Sequence, residues 1–212
     1  MTDSQKETLR FYTANDYLLI NGLLWGESRE ILDRYIELIN EDGRGVMAEA
    51  VEQGFGARWN CTEEEGERLF RVYQRRFPVI DGDDVKGRIL EQAKRDIINL
   101  KACMKPLDND IVLYRNIHNS FVKALEEGAV FDCLGFSSCS LAPHIAENAE
   151  YGSGACTLAV ITVPAGASAI RLDLMPDVRN EPDEVILAPM KFLVTKIDRK
   201  TGTVFMTGMI DS

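Results

Sequence analysis

Histidine is nearly absent from this 212-residue chain, which has two, and its five cysteines include no C-x-x-C pair. That combination excludes the usual zinc sites, which need four such ligands at close spacing. Cys61, Cys103, Cys133, Cys139 and Cys156 are odd in number and read as free thiols in a reducing compartment. No apolar run approaches the roughly 18 residues that a membrane span requires. The first residues, Met1 to Arg10, hold no apolar stretch of the kind a secretory signal carries, so a cytosolic protein is expected. A signal read by a specialised secretion machine is invisible to this test. Positive charge is also scarce: Lys and Arg total 24 against 34 Asp and Glu, a net charge of -10. Such a surface repels phosphate backbones, so nucleic acid is not an expected partner. No G-x-G-x-x-G follows a strand pattern, so a Rossmann dinucleotide site is not indicated.

What is present is an ordinary globular composition, 45% hydrophobic and 27% charged. The length suits one good-sized core, and a single domain over residues 1–212 is expected. The first part, 1–104, reads helical. Ile31, Leu32, Tyr35, Ile36 and Ile39 recur at helical spacing after Ser28, and Gly43 and Gly45 are expected to break that segment. Thr62 with Glu65 has capping-box spacing, and Leu69, Phe70, Tyr73 and Phe77 follow before Pro78. Ile89, Ala93, Ile97 and Leu100 then mark one face of another helix. Asp81-Gly82-Asp83-Asp84 lacks EF-hand spacing and reads as a helix-capping turn. Arg71, Arg75 and Arg76 read as a solvated helix face.

The second part, 105–212, changes period. Ile111–Tyr114, Thr157–Val163, Ala169–Leu172, Val185–Leu187, Lys191–Asp198 and Thr203–Ile210 are short β-rich runs bounded by turn residues. Helices first and strands afterwards predict an α+β fold. Within this part three segments stand out in order: Leu113-Tyr114-Arg115-Asn116, Gly135-Phe136-Ser137-Ser138-Cys139-Ser140-Leu141, and Glu181-Pro182-Asp183-Glu184-Val185-Ile186-Leu187.

Each residue type suits a distinct task, and each has a plainer reading. A guanidinium stays charged and pairs bidentately with phosphate, although Arg115 taken alone is a surface arginine at a strand end. A fixed carboxylate opposes a cationic, oxocarbenium-like transition state, although Glu184 alone is a solvated strand-edge acid. The serines alone form a turn that satisfies backbone groups. His118 has no nucleophile beside it in sequence and reads as structural.

Together and in order, the segments resemble the ADP-ribosyltransferase exoenzymes, the clostridial-toxin-like Arg/Ser/Glu group. Their pattern is a strand ending in Tyr-Arg, then Phe-x-Ser-Thr-Ser-Leu, then Glu/Gln-x-Glu before an apolar strand. The resemblance runs from about Leu100 to the C-terminus and reaches more weakly to Tyr17-Leu18-Leu19-Ile20-Asn21. It implies an N-terminal helical region, in which residues 28–84 read as an insertion or lid, followed by a two-sheet, sandwich-like core with an NAD cleft. It implies a mono-ADP-ribosyltransferase with NAD as substrate, no metal, and a protein acceptor. Glu184, Ser138 and Arg115 would be catalytic. Arg115, Ser138, Tyr114, Asn116 and Tyr151 would contact NAD, Tyr151 by stacking on nicotinamide. Glu181, Pro182 and Asp183 would face the acceptor.

The chain departs from the pattern at Cys139, where the family has threonine, and at Trp25, where it has arginine. It departs again at Pro182, where an arginine-modifying enzyme has glutamate. The last change points to a serine or threonine hydroxyl acceptor. One related effector group modifies a threonine of ubiquitin, so a host regulatory protein of that kind is the expected target. The implied setting is a monomeric bacterial effector or toxin delivered into a host cell by another machine. Two alternatives stay open: an NAD glycohydrolase, and an inactive protein-binding module of the same fold.

Overall fold

The computed structural model describes residues 1–12, 17–54, 62–64, 66–67, 71, 85–144, 156–175, 178 and 183–210. The chain divides into two compact units, Met1–Leu100 and Lys101–Ser212.

The first unit is helical: α1 (Asp3–Phe11), α2 (Tyr17–Trp25), α3 (Arg29–Gln53) and α4 (Val85–Cys103), the last running on into the second unit. Thr2 starts α1 with a capping box: its hydroxyl accepts the Gln5 N–H at 3.2 Å, and the Gln5 side chain takes the Thr2 N–H at 2.8 Å. Ser28 caps α3 through the Ile31 N–H. The expected break at Gly43 and Gly45 does not occur, since α3 continues through both to Gln53. A glycine inside a helix costs only about 1 kcal/mol relative to alanine, and helix formers surround these two. On α3, Ile36 and Ile39 are buried while Ile31 is exposed. On α4 the expected face is buried at Ile89, Ala93 and Leu100. A polar cluster ties α1 to α4: the Thr8 hydroxyl donates to Asp96 at 2.6 Å, both residues being fully buried, and Asn99 donates to Thr8 at 2.9 Å. Gly22 packs α2 against α3, since a Cβ there would stand 3.0 Å from the Tyr35 ring.

The second unit carries β1 (Lys105–Pro106), β2 (Ile111–His118), the short helix α5 (Asn119–Val122), β3 (Val130–Cys133), β4 (Ser137–Ser140), β5 (Cys156–Val163), β6 (Ser168–Arg171), a 3-10 turn (Leu172–Leu174), β7 (Glu184–Leu187), β8 (Met190–Asp198) and β9 (Thr203–Met209). The strands run in the order β1-β6-β7-β4-β2-β5-β9-β8-β3. All neighbours are antiparallel except β5 and β9. One junction is thin: β2 and β4 share a single ladder pair, Tyr114 with Ser140. The sheet thus falls into two halves, β1-β6-β7-β4 and β2-β5-β9-β8-β3, hinged at that pair. This is the expected α+β architecture, helices first and a two-part sheet after.

The halves share one apolar core. Leu113, Cys139, Ala159, Ile161, Val163, Val185, Leu187, Phe192, Val194, Val204 and Met206 are all buried in it. Each large aliphatic side chain removed from water there contributes roughly 1.5–3 kcal/mol, and β5, β7, β8 and β9 all supply such side chains.

Candidate functional site

The hinge between the half-sheets is where the sequence motifs meet. Tyr114 on β2 faces Ser140 on β4, which in turn faces Glu184, the first residue of β7. Two residues back along β4, Ser138 lies on the same side of the pleat as Ser140, diagonal to Glu184. That diagonal is bridged: the Ser138 hydroxyl donates to the Glu184 carboxylate at 2.5 Å. A short O–H···O⁻ bond of this kind is charge-assisted and fixes the carboxylate's rotamer. The main chain fixes it further, because the Leu141 N–H donates to the Asp183 carbonyl at 2.7 Å, one residue before Glu184.

Strand β4 is held at both ends. The Ser140 hydroxyl and Ala142 exchange two 3.0 Å bonds that turn the chain, and at the other end the Cys133 sulfur lies 3.3 Å from the Ser137 hydroxyl. Glu184 therefore stands on a strand start whose backbone and side chain are both constrained.

Arg115 does not end β2, as expected from sequence. It sits in mid-strand, because Asn116, Ile117 and His118 continue the ladder with Leu158, Thr157 and Cys156. Alternation sends Leu113 and Ile117 into the core, and Arg115 follows that side, whereas Tyr114 and Asn116 take the other. Extending the Tyr114–Ser140 register by one residue sets Arg115 opposite Cys139, whose other neighbour is Val185. The guanidinium lies within hydrogen-bonding reach of the Cys139 sulfur, and both Arg115 and Glu184 act electrostatically on that thiol. The sheet therefore brings Ser138 and Glu184 into direct contact and sets Arg115 one row away, joined to β4 through Cys139.

Tyr114 and Asn116 are half-buried on the Glu184 side of the pleat, and Asp183 is half-buried just before β7. Tyr151, Glu181 and Pro182 lie outside the described residues. So do Asp81–Asp84, Arg75 and Arg76, as well as Glu65 of the expected Thr62 capping pair; Arg71 is exposed and paired with Glu67 at 3.1 Å. His118 is exposed at the end of β2. Trp25 ends α2, about half exposed, and Asn21 is buried. Sequence reading passed over the Cys139 contact with Arg115. The signal for it was the alternation Ser138, Cys139, Ser140, which puts the two hydroxyls on one side of a strand and the thiol on the other.

Burial pushes the Cys139 thiol up from its ordinary 9.0 to about 11, against the opposing pull of Arg115. In the unfolded chain this thiol ionises near 9.0, and in the folded chain near 11. Unfolding between those values releases a proton, so this group leaves stability unchanged below about pH 9 and lowers it above. The expected slope from this group is about 1.4 kcal/mol per pH unit. Urea unfolding at pH 8, 9 and 10 should show the decline, reduced in Cys139→Val. Cys103, also raised by burial, leaves a residual slope in the variant. Parallel declines in both proteins would mean that Cys139 is not shielded.

Among the described residues no group of His, Cys, Asp and Glu could hold a metal ion, and no helix is long and apolar enough to cross a membrane. No protein-family model matches the chain, and no curated protein matches it in sequence. Solved structures do match. The catalytic domain of VahC from Aeromonas hydrophila superposes with a TM-score of 0.51 at 16% identity, over 99% of this chain and 100% of that one. The C3 exoenzyme of Clostridium limosum gives 0.49 at 14% identity, over 100% and 87%. The Vis toxin, an ADP-ribosyltransferase from Vibrio splendidus, gives 0.46 at 16% identity, over 98% and 72%. The chain has the ADP-ribosyltransferase fold; at these identities the likeness extends to architecture and no further.

Proposed function

We propose that this chain is a mono-ADP-ribosyltransferase that moves ADP-ribose from NAD to a protein side chain. The observation that carries the reading is the Ser138–Glu184 hydrogen bond at the hinge of the two half-sheets. A carboxylate locked by a hydroxyl is what a reaction through a sugar cation needs. Its charge stands ready where positive charge develops, with no reorganisation left to do.

In the proposed reaction the bond from the ribose C1′ to the nicotinamide nitrogen breaks, and nicotinamide leaves with the electron pair. Glu184 opposes the resulting oxocarbenium and accepts a hydrogen bond from the ribose 2′-hydroxyl. Ser138 holds its rotamer. Arg115 pairs with the diphosphate, while Tyr114, Asn116 and Tyr151 contact the rest of NAD. An acceptor hydroxyl oxygen then bonds to C1′, and its proton passes to solvent. Glu181, Pro182 and Asp183 lie just before Glu184 in sequence and face the acceptor. Pro182 has no carboxylate to orient a guanidinium, so the acceptor is a serine or threonine hydroxyl on a host regulatory protein of ubiquitin's kind. The enzyme acts in the cytosol of a cell into which a specialised machine delivers it.

The test is incubation with labelled NAD and cell lysate, followed by chemical challenge of the labelled protein. The expected result is nicotinamide release with a protein-bound label that resists neutral hydroxylamine. Release of free ADP-ribose without labelled protein would reassign the chain as a glycohydrolase. A hydroxylamine-labile label mapped to arginine would keep the transfer and overturn the hydroxyl acceptor, leaving Glu181 as the acid that orients the guanidinium.

A further inference from the structure

We propose that Cys139 is the positioning residue for Arg115: its buried thiol holds the guanidinium against β4 and so couples Arg115 to the strand that carries Ser138. The proposal rests on the transferase reading for its consequence in catalysis, and on the strand register together with the Arg115–Cys139 side-chain hydrogen bond for the contact itself.

Cys139 is the third of the four residues of β4, 4% exposed, between Ser138 and Ser140. Its neighbours on the strand both turn toward Glu184: Ser138 by its hydrogen bond, Ser140 by its ladder pairing. Cys139 faces the other way, as Ser137 does, and lies in the row of Arg115 and Val185. Its sulfur also points at the Ser137 carbonyl, 3.7 Å away, so the S–H has an acceptor and the sulfur lone pairs remain for a donor. The donor within reach is the Arg115 guanidinium. Among the charged and titratable groups that act most on this thiol are Arg115 on β2, Cys133 on β3 and Glu184 on β7.

The chemistry of sulfur suits the task. A carboxylate at this place would neutralise the guanidinium, as Asp173 does to Arg171 through a two-pronged pair, 2.7 Å from Nε. A protonated thiol orients the guanidinium without cancelling its charge. The five donors of arginine allow one edge to rest on sulfur while another meets an anion. Valine matches cysteine in bulk but accepts nothing; threonine fills the same space and restores an acceptor.

Two measurements separate the contact from its consequence. In the NAD-free protein, nitrogen-detected NMR of arginine side chains should show the Arg115 guanidinium, assigned by its loss in Arg115→Lys, in slow solvent exchange. Cys139→Val should speed that exchange at least several-fold, and Cys139→Thr should bring it back. With NAD, Cys139→Val should raise KM about ten-fold with a smaller change in kcat, and Cys139→Thr should return KM to within about three-fold. Thermal unfolding of both variants confirms that the fold is kept. Unchanged Arg115 exchange in Cys139→Val overturns the proposal whatever NAD does. Equal losses of KM and kcat that track stability across Val and Thr also overturn it. If the wild-type chain binds no NAD, the transferase reading fails, and the exchange measurement still decides what holds Arg115.

Discussion

Glu184→Gln should leave the fold and NAD binding almost unchanged and reduce transfer at least ~10²-fold. Glutamine has the shape of glutamate, and its amide oxygen can still accept the Ser138 hydroxyl that now reaches Oε1 at 2.5 Å. The ladder from Ser140 to Glu184 is a main-chain pairing and does not depend on the side chain. What disappears is the negative charge. In the ground state the positive charge of NAD is spread over the nicotinamide ring and the carboxylate's own partner is a neutral ribose hydroxyl, so affinity for NAD changes little. In the transition state it opposes a cation, and there the loss falls in full, as a fall in kcat with KM nearly constant. Ser138→Ala is the companion: it keeps the charge and frees the rotamer, so its loss should be smaller. Calorimetry with NAD, nicotinamide release and thermal unfolding separate these effects. Activity within a few-fold of wild type for Glu184→Gln would transfer the role to Glu181.

The parts of the fold that were legible in the sequence are those where local pattern and tertiary need agree. Thr157 to Val163 is a β-branched run interrupted only by Leu158 and Ala159, and the strand Cys156–Val163 sends Ala159, Ile161 and Val163 into the core. Strand β4 was not legible. Ser137-Ser138-Cys139-Ser140 contains no residue with strong strand preference and reads as a turn; its pairing with β7 and its single link to β2 make it a strand. The extension of β2 past Arg115 was hidden for a related reason. Asn116 and His118 break the apolar pattern, yet both find ladder partners on β5. Helix α1 carried its signal openly in Thr2-x-x-Gln5, but the segment is short and polar, and only its buried Leu9 and Phe11 give it a face. Sequence order singled out Ser138 and Glu184 as candidates, and the diagonal between two antiparallel strands makes them touch. The Arg115–Cys139 contact depends on pairing register, which no linear motif carries.

That register makes Arg115→Lys the sharper test of the site. Arg115 and Glu184 occupy adjacent rows on alternate sides of the pleat, so the arginine's part in the reaction cannot be read from contact with the carboxylate. It must be read from affinity. Lysine keeps the positive charge and nearly the length, so a role limited to long-range attraction would survive the change. A role as a phosphate clamp would not, because a guanidinium offers a planar pair of donors matched to two phosphate oxygens and an ammonium offers a point. Lysine's three donors radiate from a single nitrogen, so it lacks the two separated edges with which the forked head can rest on the Cys139 sulfur and meet an anion in one plane. Losing one charge-assisted hydrogen bond of the pair corresponds to about 1.5–3 kcal/mol, so NAD affinity should fall on the order of ten- to a hundred-fold. Calorimetric titration with NAD reads this directly. Repeating it with nicotinamide mononucleotide, which carries one phosphate, should show a smaller gap between wild type and variant. Equal NAD affinity in the two proteins would make Arg115 a structural residue of β2 and leave the Ser138–Glu184 pair to hold the dinucleotide without it.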